Sequence, residues 1–148
     1  MKNTVAFIIL LLPFALFAQE MNVMTFNIRY NNAGDGVNAW PNRVEMVNSM
    51  LNFYEPDVFG LQEALYGQVL DIQKGLHGYG WFGAGRDDGK KEGEFSPIFF
   101  NKSEFILLES GHFWLSENCE KPGLGWDATF LILILTIREW KPVKTQLC

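Results

Sequence analysis

Two polar residues stand where the sequence pattern ends a strand. Asn27 lies near the end of the alternating run Met21–Ile28, and Glu63 directly follows the apolar run Asp57–Gln62. Open α/β sheets bind ligands outside the carboxyl ends of their strands, so two such ends can share one site. A lone carboxylate beside a neutral amide suits a hard cation such as Mg2+. That ion takes one or two protein carboxylates and completes its shell with water and substrate phosphate. The plainer reading is that strand ends meet water and that Glu63 caps the helix it precedes. Spacing alone leaves both open.

The elements that must position these residues follow from periodicity. Met24, Phe26 and Ile28 share one face of the first strand. Asn31–Asn38 reads as a loop rich in Gly, Asn and Asp. After Pro41, Val44, Val47, Leu51 and Tyr54 recur at helical spacing until Pro56 stops the helix. Asp57–Gln62 is a short buried strand, and Leu65, Val69, Ile72 and Leu76 form the inner face of a second helix. Tyr79–Phe82 is an aromatic strand, and Gly83–Glu94 a polar loop. Phe95–Phe100 and Phe105–Glu109 read as strands joined by a turn at Asn101–Glu104, with Gly111–Leu115 extending or following the second. The order is α/β at first and β-rich later.

Composition narrows the function classes. The chain has 148 residues, 48% hydrophobic and 20% charged, with a formal charge of −5 and two cysteines. This apolar content excludes an intrinsically disordered chain, and two cysteines are too few for a four-cysteine zinc site. The acidic balance argues against a general nucleic-acid coat, which needs basic surface to displace counterions. Lys2, the apolar stretch Val5–Phe17 and the small Ala18 predict a cleaved signal peptide over residues 1–18, hence export and no stable membrane span afterwards. In an oxidising compartment Cys119 and Cys148 become candidates for a disulfide.

A resemblance adds to these patterns. The segments Met24-Thr25-Phe26-Asn27-Ile28-Arg29, Trp40-Pro41-Asn42-Arg43 and Pro56-Asp57-Val58-Phe59-Gly60-Leu61-Gln62-Glu63 come first. Gly80-Trp81-Phe82-Gly83, Gly85-Arg86-Asp87-Asp88-Gly89, Glu94-Phe95-Ser96-Pro97-Ile98-Phe99-Phe100 and Phe113-Trp114-Leu115-Ser116 follow in order, ending near Gly125-Trp126-Asp127-Ala128. Each motif is short; the ordered set resembles the exported bacterial branch of the endonuclease/exonuclease/phosphatase family. The resemblance implies the N-terminal half of a deoxyribonuclease-like four-layer α/β sandwich, a mixed β-sheet flanked by helices. It implies a metal-dependent phosphoesterase using Mg2+ or Mn2+. Glu63 matches the family's metal-binding glutamate, and Asn27 the asparagine near the metal and the attacking water, giving both a catalytic role. Arg86 and Glu94 lie where relatives line the substrate pocket; an arginine there would pair with phosphate through its planar fork. Trp40 and Arg43 read as structural, fixing the first helix against the strands.

The chain departs from the family pattern in its later part. The Thr-His, Gly-Asp-x-Asn and Ser-Asp-His segments are absent, and His77 and His112 match no motif. Residues 19–128 therefore read as the N-terminal part of the domain, and 129–148, with the apolar run Phe130–Ile137, as an aberrant tail from a frameshift or premature stop. The alternative is a genuine short variant whose apolar run supplies a buried strand. The expected function is a weakly active or inactive phosphoesterase whose substrate is a small-molecule or lipid phosphate ester rather than bulk nucleic acid. The competing readings are a non-catalytic exported module binding a phosphorylated or glycan ligand, and an inert translation product.

Overall fold

A computed structural model of the chain describes residues 20–126 and 133–142, and side chains for the first of these segments only. The leader expected over residues 1–18 and Cys148, the candidate partner of Cys119, lie outside the described residues, as does half of the tail. Cys119 itself is free and exposed. Among the described residues no helix is long and apolar enough to cross a membrane.

Strand β1 (Val23–Asn27) leads through a 3-10 turn at Ala33–Asn38 into α1 (Trp40–Tyr54) and then β2 (Val58–Gln62). The turn stands where the sequence reads as a plain loop. Its order comes from Asn32, whose side chain accepts the Gly34 amide at 2.9 Å while its carbonyl accepts the Asp35 amide at 3.1 Å. Helix α1 starts with Pro41 in its first turn, where a missing N–H costs nothing. It ends at Glu55, whose left-handed φ of 44° lets its amide reach the Leu51 carbonyl before Pro56 redirects the chain. Val47 and Leu51 are buried, whereas Tyr54 is 59% exposed and pairs edge-on with Phe53.

Because β1 and β2 run parallel, the connection between them must cross over, and α1 is that crossover. Helix α2 (Tyr66–Gly75) follows β2 and buries Val69 and Ile72, with Leu76 just beyond its end; Leu65 lies before its first turn rather than on its face. The two helices meet where Asn48 and Asn52 of α1 donate to the Asp71 and Gly75 carbonyls. A Cβ on Gly75 would sit 2.2 Å from Asn48 Nδ2, so a larger residue there would displace the Asn48 side chain.

Strands β3 (Tyr79–Phe82) and β4 (Ile98–Asn101) complete a mixed four-stranded sheet in the order β1-β2-β4-β3, with β4 antiparallel to both neighbours. Register places Phe59, Phe99 and Trp81 side by side across β2, β4 and β3. Phe59 and Phe99 stack at 4.8 Å between ring centroids, and Trp81 stacks on Phe99 at 6.1 Å. This ladder, with Met24, Phe26, Leu61 and the apolar faces of α1 and α2, is the main core.

Strand β5 (Phe105–Trp114) joins the predicted segments 105–109 and 111–115 into one element, paired antiparallel with β6 (Leu133–Pro142) in a separate two-stranded sheet. The hairpin expected between the fourth and fifth strands does not form a ladder. The reason is edge occupancy: β4 already has β2 on one side and β3 on the other, leaving no free edge for β5. Phe95, Ser96 and Pro97 also fall outside β4, with Phe95 making isolated bridges instead.

Candidate functional site

The parallel pairing of β1 with β2 sets Asn27 opposite Gln62, so Glu63 emerges beside the end of β1. Asn27 Nδ2 donates to Glu63 Oε1 at 2.8 Å. The two strand ends therefore share one site through a direct contact. Glu63 adopts φ 57° and Arg29 φ 56°, left-handed values that ordinary side chains rarely take and that recur at functional sites. The plain capping role is not the one adopted. The amide nearest the start of α2, that of Leu65, donates to Gln68 Oε1 at 3.1 Å, while Glu63 takes the Asn27 amide and leaves Oε2 without a hydrogen bond among the described residues.

The chain leaving β1 is held from several directions. Asn27 Oδ1 accepts the Arg29 amide at 2.9 Å. Arg43 donates to the Ile28 carbonyl at 2.8 Å and to the Asn38 carbonyl at 2.5 Å, with its guanidinium 5.5 Å from the Trp40 ring. Trp40 Nε1 in turn donates to Asp71 at 3.0 Å. Arg43 thus ties α1 to the strand end as its position predicts, while the Trp40 hydrogen bond ties α1 to α2. The Arg29 guanidinium grips Asp35 with two contacts of 2.6 Å. Hydrogen bonding to that guanidinium, helped by its charge and opposed by partial desolvation, holds the Asp35 carboxyl below its usual range and raises Arg29 further. Arg29, Asp35, Asn38 and Arg43 line a shallow cleft of about 400 Å3.

Arg86 and Glu94 belong to the polar loop, and the structure makes them each other's partners. Arg86 Nη1 donates to Glu94 Oε2 at 3.0 Å, Arg86 Nε donates to Asp87 at 3.0 Å, and the Arg86 amide donates to the Glu94 carbonyl at 3.0 Å. Phe95 bridges to Ala64 on one side and to Gly85 on the other. Glu63–Ala64, Glu94–Phe95 and Gly85–Arg86 are consequently adjacent backbone segments, spanning roughly 10 Å at ordinary strand spacing. The loop needs glycine at its neck: a Cβ on Gly85 would lie 2.3 Å from the Glu92 carbonyl oxygen. Asp88 organises its tip by accepting the Lys90 and Glu92 amides at 2.7 and 2.9 Å. Partial desolvation pushes the Asp88 carboxyl up, but backbone amides of Glu92, Lys90 and Lys91 outweigh it and hold the group below its usual range.

The histidines lie elsewhere. His77 is exposed and lines a cleft with Glu55 and Asp57 at the amino end of β2, opposite to Glu63, and His112 is on β5. Sequence reasoning missed Gln68, which is 1% exposed and bonds to both strand ends. Its place at the third residue of α2, a spacing suited to a side chain folding back on the helix start, was the available signal. Nothing local marks Arg29.

No protein-family model matches the chain, and no curated protein matches it. Solved structures do. An endonuclease/exonuclease/phosphatase from Bacteroides vulgatus is 40% identical, with a TM-score of 0.76 over 78% of this chain and 44% of its own. A family member from Bacteroides thetaiotaomicron is 35% identical, with a TM-score of 0.81 over 84% of this chain and 46% of its own. A mannosyl-6-phosphatase from the same organism is 37% identical, with a TM-score of 0.74 over 77% and 43%. The chain thus spans less than half the length of each of these structures. Identity of 35–40% over 77–84% of this chain, on a mixed sheet flanked by helices, places the chain in the endonuclease/exonuclease/phosphatase family.

Proposed function

We propose that this chain carries the cation-binding part of an exported phosphoesterase that hydrolyses a small-molecule phosphate ester with Mg2+ or Mn2+. The observation that carries the reading is the 2.8 Å contact between Asn27 and Glu63 at two parallel strand ends. The donor set fits such an ion. One carboxylate next to a neutral amide suits a hard cation that keeps most of its water and takes substrate oxygen, and among the described residues no group of three or more His, Cys, Asp or Glu offers the denser shell that zinc prefers.

Glu63 would hold the cation, with Asn27 fixing Oε1 and so the orientation of the carboxylate. When bound, the cation supplies charge to neutralise phosphoryl oxygens. Arg86 would face the phosphate or its neighbouring group, held in place by Glu94 and Asp87. Neither His77, at the amino end of β2, nor His112, which lines a cleft with Phe82 and Gly83, is hydrogen-bonded to Asn27 or Glu63, so turnover by this chain is expected to be weak. The mannosyl-6-phosphatase relative supports a sugar phosphate as the substrate class, and the charge of −5 disfavours bulk nucleic acid. The apolar leader after Lys2 supports export.

Titration calorimetry with Mn2+ and hydrolysis of p-nitrophenyl phosphate and mannose 6-phosphate test the reading. Glu63→Ala is expected to abolish both cation binding and any metal-dependent turnover. Unchanged binding and turnover in that variant would refute it. Sugar phosphate binding without turnover would identify a non-catalytic binding module instead.

A further inference from the structure

Gln68 is a polar side chain enclosed in the core, and its partners come from two different loops. Its Oε1 accepts the Asn31 amide at 2.8 Å and the Leu65 amide at 3.1 Å, while Nε2 donates to the Arg29 carbonyl at 3.0 Å. Both lone pairs of the oxygen are used, so the amide is anchored in one orientation. Arg29 and Asn31 belong to the chain leaving β1; Leu65 belongs to the chain leaving β2.

The Arg29 peptide is where these bonds meet the site. Its N–H is held by Asn27 Oδ1 and the carbonyl of the same residue by Gln68, and the other end of the Asn27 amide holds Glu63. Leu65, two residues after Glu63, closes the circuit back to Gln68. Glu63, Asn27, Arg29, Gln68 and Leu65 thus form one ring of hydrogen bonds and short backbone links. Arg29 and Glu63 are also two of the non-glycine residues with left-handed φ. Such a backbone persists only where its surroundings over-determine it.

We infer that Gln68 is a positioning residue: it fastens the loops after β1 and β2 to each other, thereby setting the Asn27–Glu63 contact and, on the cation-binding reading above, the affinity of Glu63 for its ion. Partners that orient a metal ligand typically change affinity by about 10- to 100-fold when removed.

The test uses the full chain, 15N-labelled, with Mn2+ as the probe. Gln68→Met keeps the length of the side chain without its polar atoms, Gln68→Glu keeps the acceptor oxygen for Asn31 and Leu65 but loses the amide donor to Arg29, and Ile72→Ala weakens α2 one turn away without touching either loop. Gln68→Met is expected to shift the Asn27 side-chain amide resonances, speed hydrogen exchange at the Arg29 amide at least about tenfold, and weaken Mn2+ binding by about tenfold or more. Gln68→Glu should perturb Arg29 and Asn27 while leaving the Asn31 and Leu65 amides protected. Ile72→Ala should lower the melting temperature yet keep the Asn27 resonances and bring Mn2+ affinity within about twofold of the unmodified chain.

Unchanged Asn27 resonances and Arg29 exchange in Gln68→Met would overturn the inference, as would the same changes appearing in Ile72→Ala. If Gln68→Met does not fold, Gln68→Glu decides by the same resonances. An unmodified chain that binds no Mn2+ would overturn the cation reading alone, because resonances and exchange still report on Gln68.

Discussion

The two faces of the four-stranded sheet are built differently. On one, Met24, Phe26, Phe59, Leu61, Phe99 and Trp81 meet α1 and α2 in a continuous apolar core in which Phe59, Leu61 and Phe99 are fully excluded from solvent. On the other, Val23, Thr25 and Asn27 of β1 are exposed, and Gln62 spans to Thr25 Oγ1 at 3.1 Å. Phe100 covers Gly80 there instead of a helix. Strand alternation assigns each residue to a face, and the helices decide which face is sealed. The polar face opens toward the Asn27–Glu63 end. Apolar packing and polar exposure are thus carried by opposite sides of the same strands.

Substitutions on adjacent residues break this comparison most sharply. Phe99→Ala removes the middle ring of the stacked ladder and should cost about 3–5 kcal/mol, whereas Phe100→Ala, half-buried on the other face, should cost about 1 kcal/mol. Equilibrium denaturation by urea measures both; equal costs would mean that the faces are equally packed.

A smaller effect separates strain at the site from strain at a helix end. Glu55→Gly relieves a left-handed φ of 44° at the end of α1 and should stabilise by up to about 1 kcal/mol. Glu63→Gly relieves φ 57° but also deletes the hydrogen bond from Asn27, so its net change should be near zero. Only Glu63→Gly should lose Mn2+ binding in calorimetry. A large stabilisation by Glu63→Gly would show that the Asn27 contact contributes nothing.

The smallest effect is electrostatic. Asp35 is held below its ordinary range by Arg29. Its pairing therefore adds stability fully present above the unfolded carboxylate value, about 4, and that stability is lost as pH falls through the lower folded value. Thermal melts of the unmodified chain and Asp35→Asn should differ modestly at neutral pH and converge in acid. A gap that does not narrow at all as pH falls below the ordinary carboxylate range would assign the difference to shape rather than charge.

Much of the helix-covered face was legible beforehand. Val47, Leu51, Val69, Ile72 and Leu76 follow from helical spacing, and Met24, Phe26 and Ile28 from alternation, because local periodicity reports which side is apolar. Tyr54 broke the pattern: it fits the period but, in the last turn of α1, it stays exposed at the rim of a cleft with Val23 and Met24 of β1. At the site, the pairing of Asn27 with Glu63 was anticipated from strand ends and family likeness. The mutual pairing of Arg86 and Glu94 was not, since it depends on Phe95 bridging two segments far apart in sequence.

By itself the sequence determined the helices, their buried faces and the polar residues at strand ends, all consequences of side-chain types at local spacing. It also carried the ordered motifs that mark the family. Tertiary structure alone decided the strand order β1-β2-β4-β3, and with it the exclusion of β5 from that sheet, because pairing depends on which edges distant segments have already occupied. It likewise decided that Gln68 would reach both strand ends. A buried amide takes whichever backbone groups the fold brings within about 3 Å, and no local pattern specifies those partners.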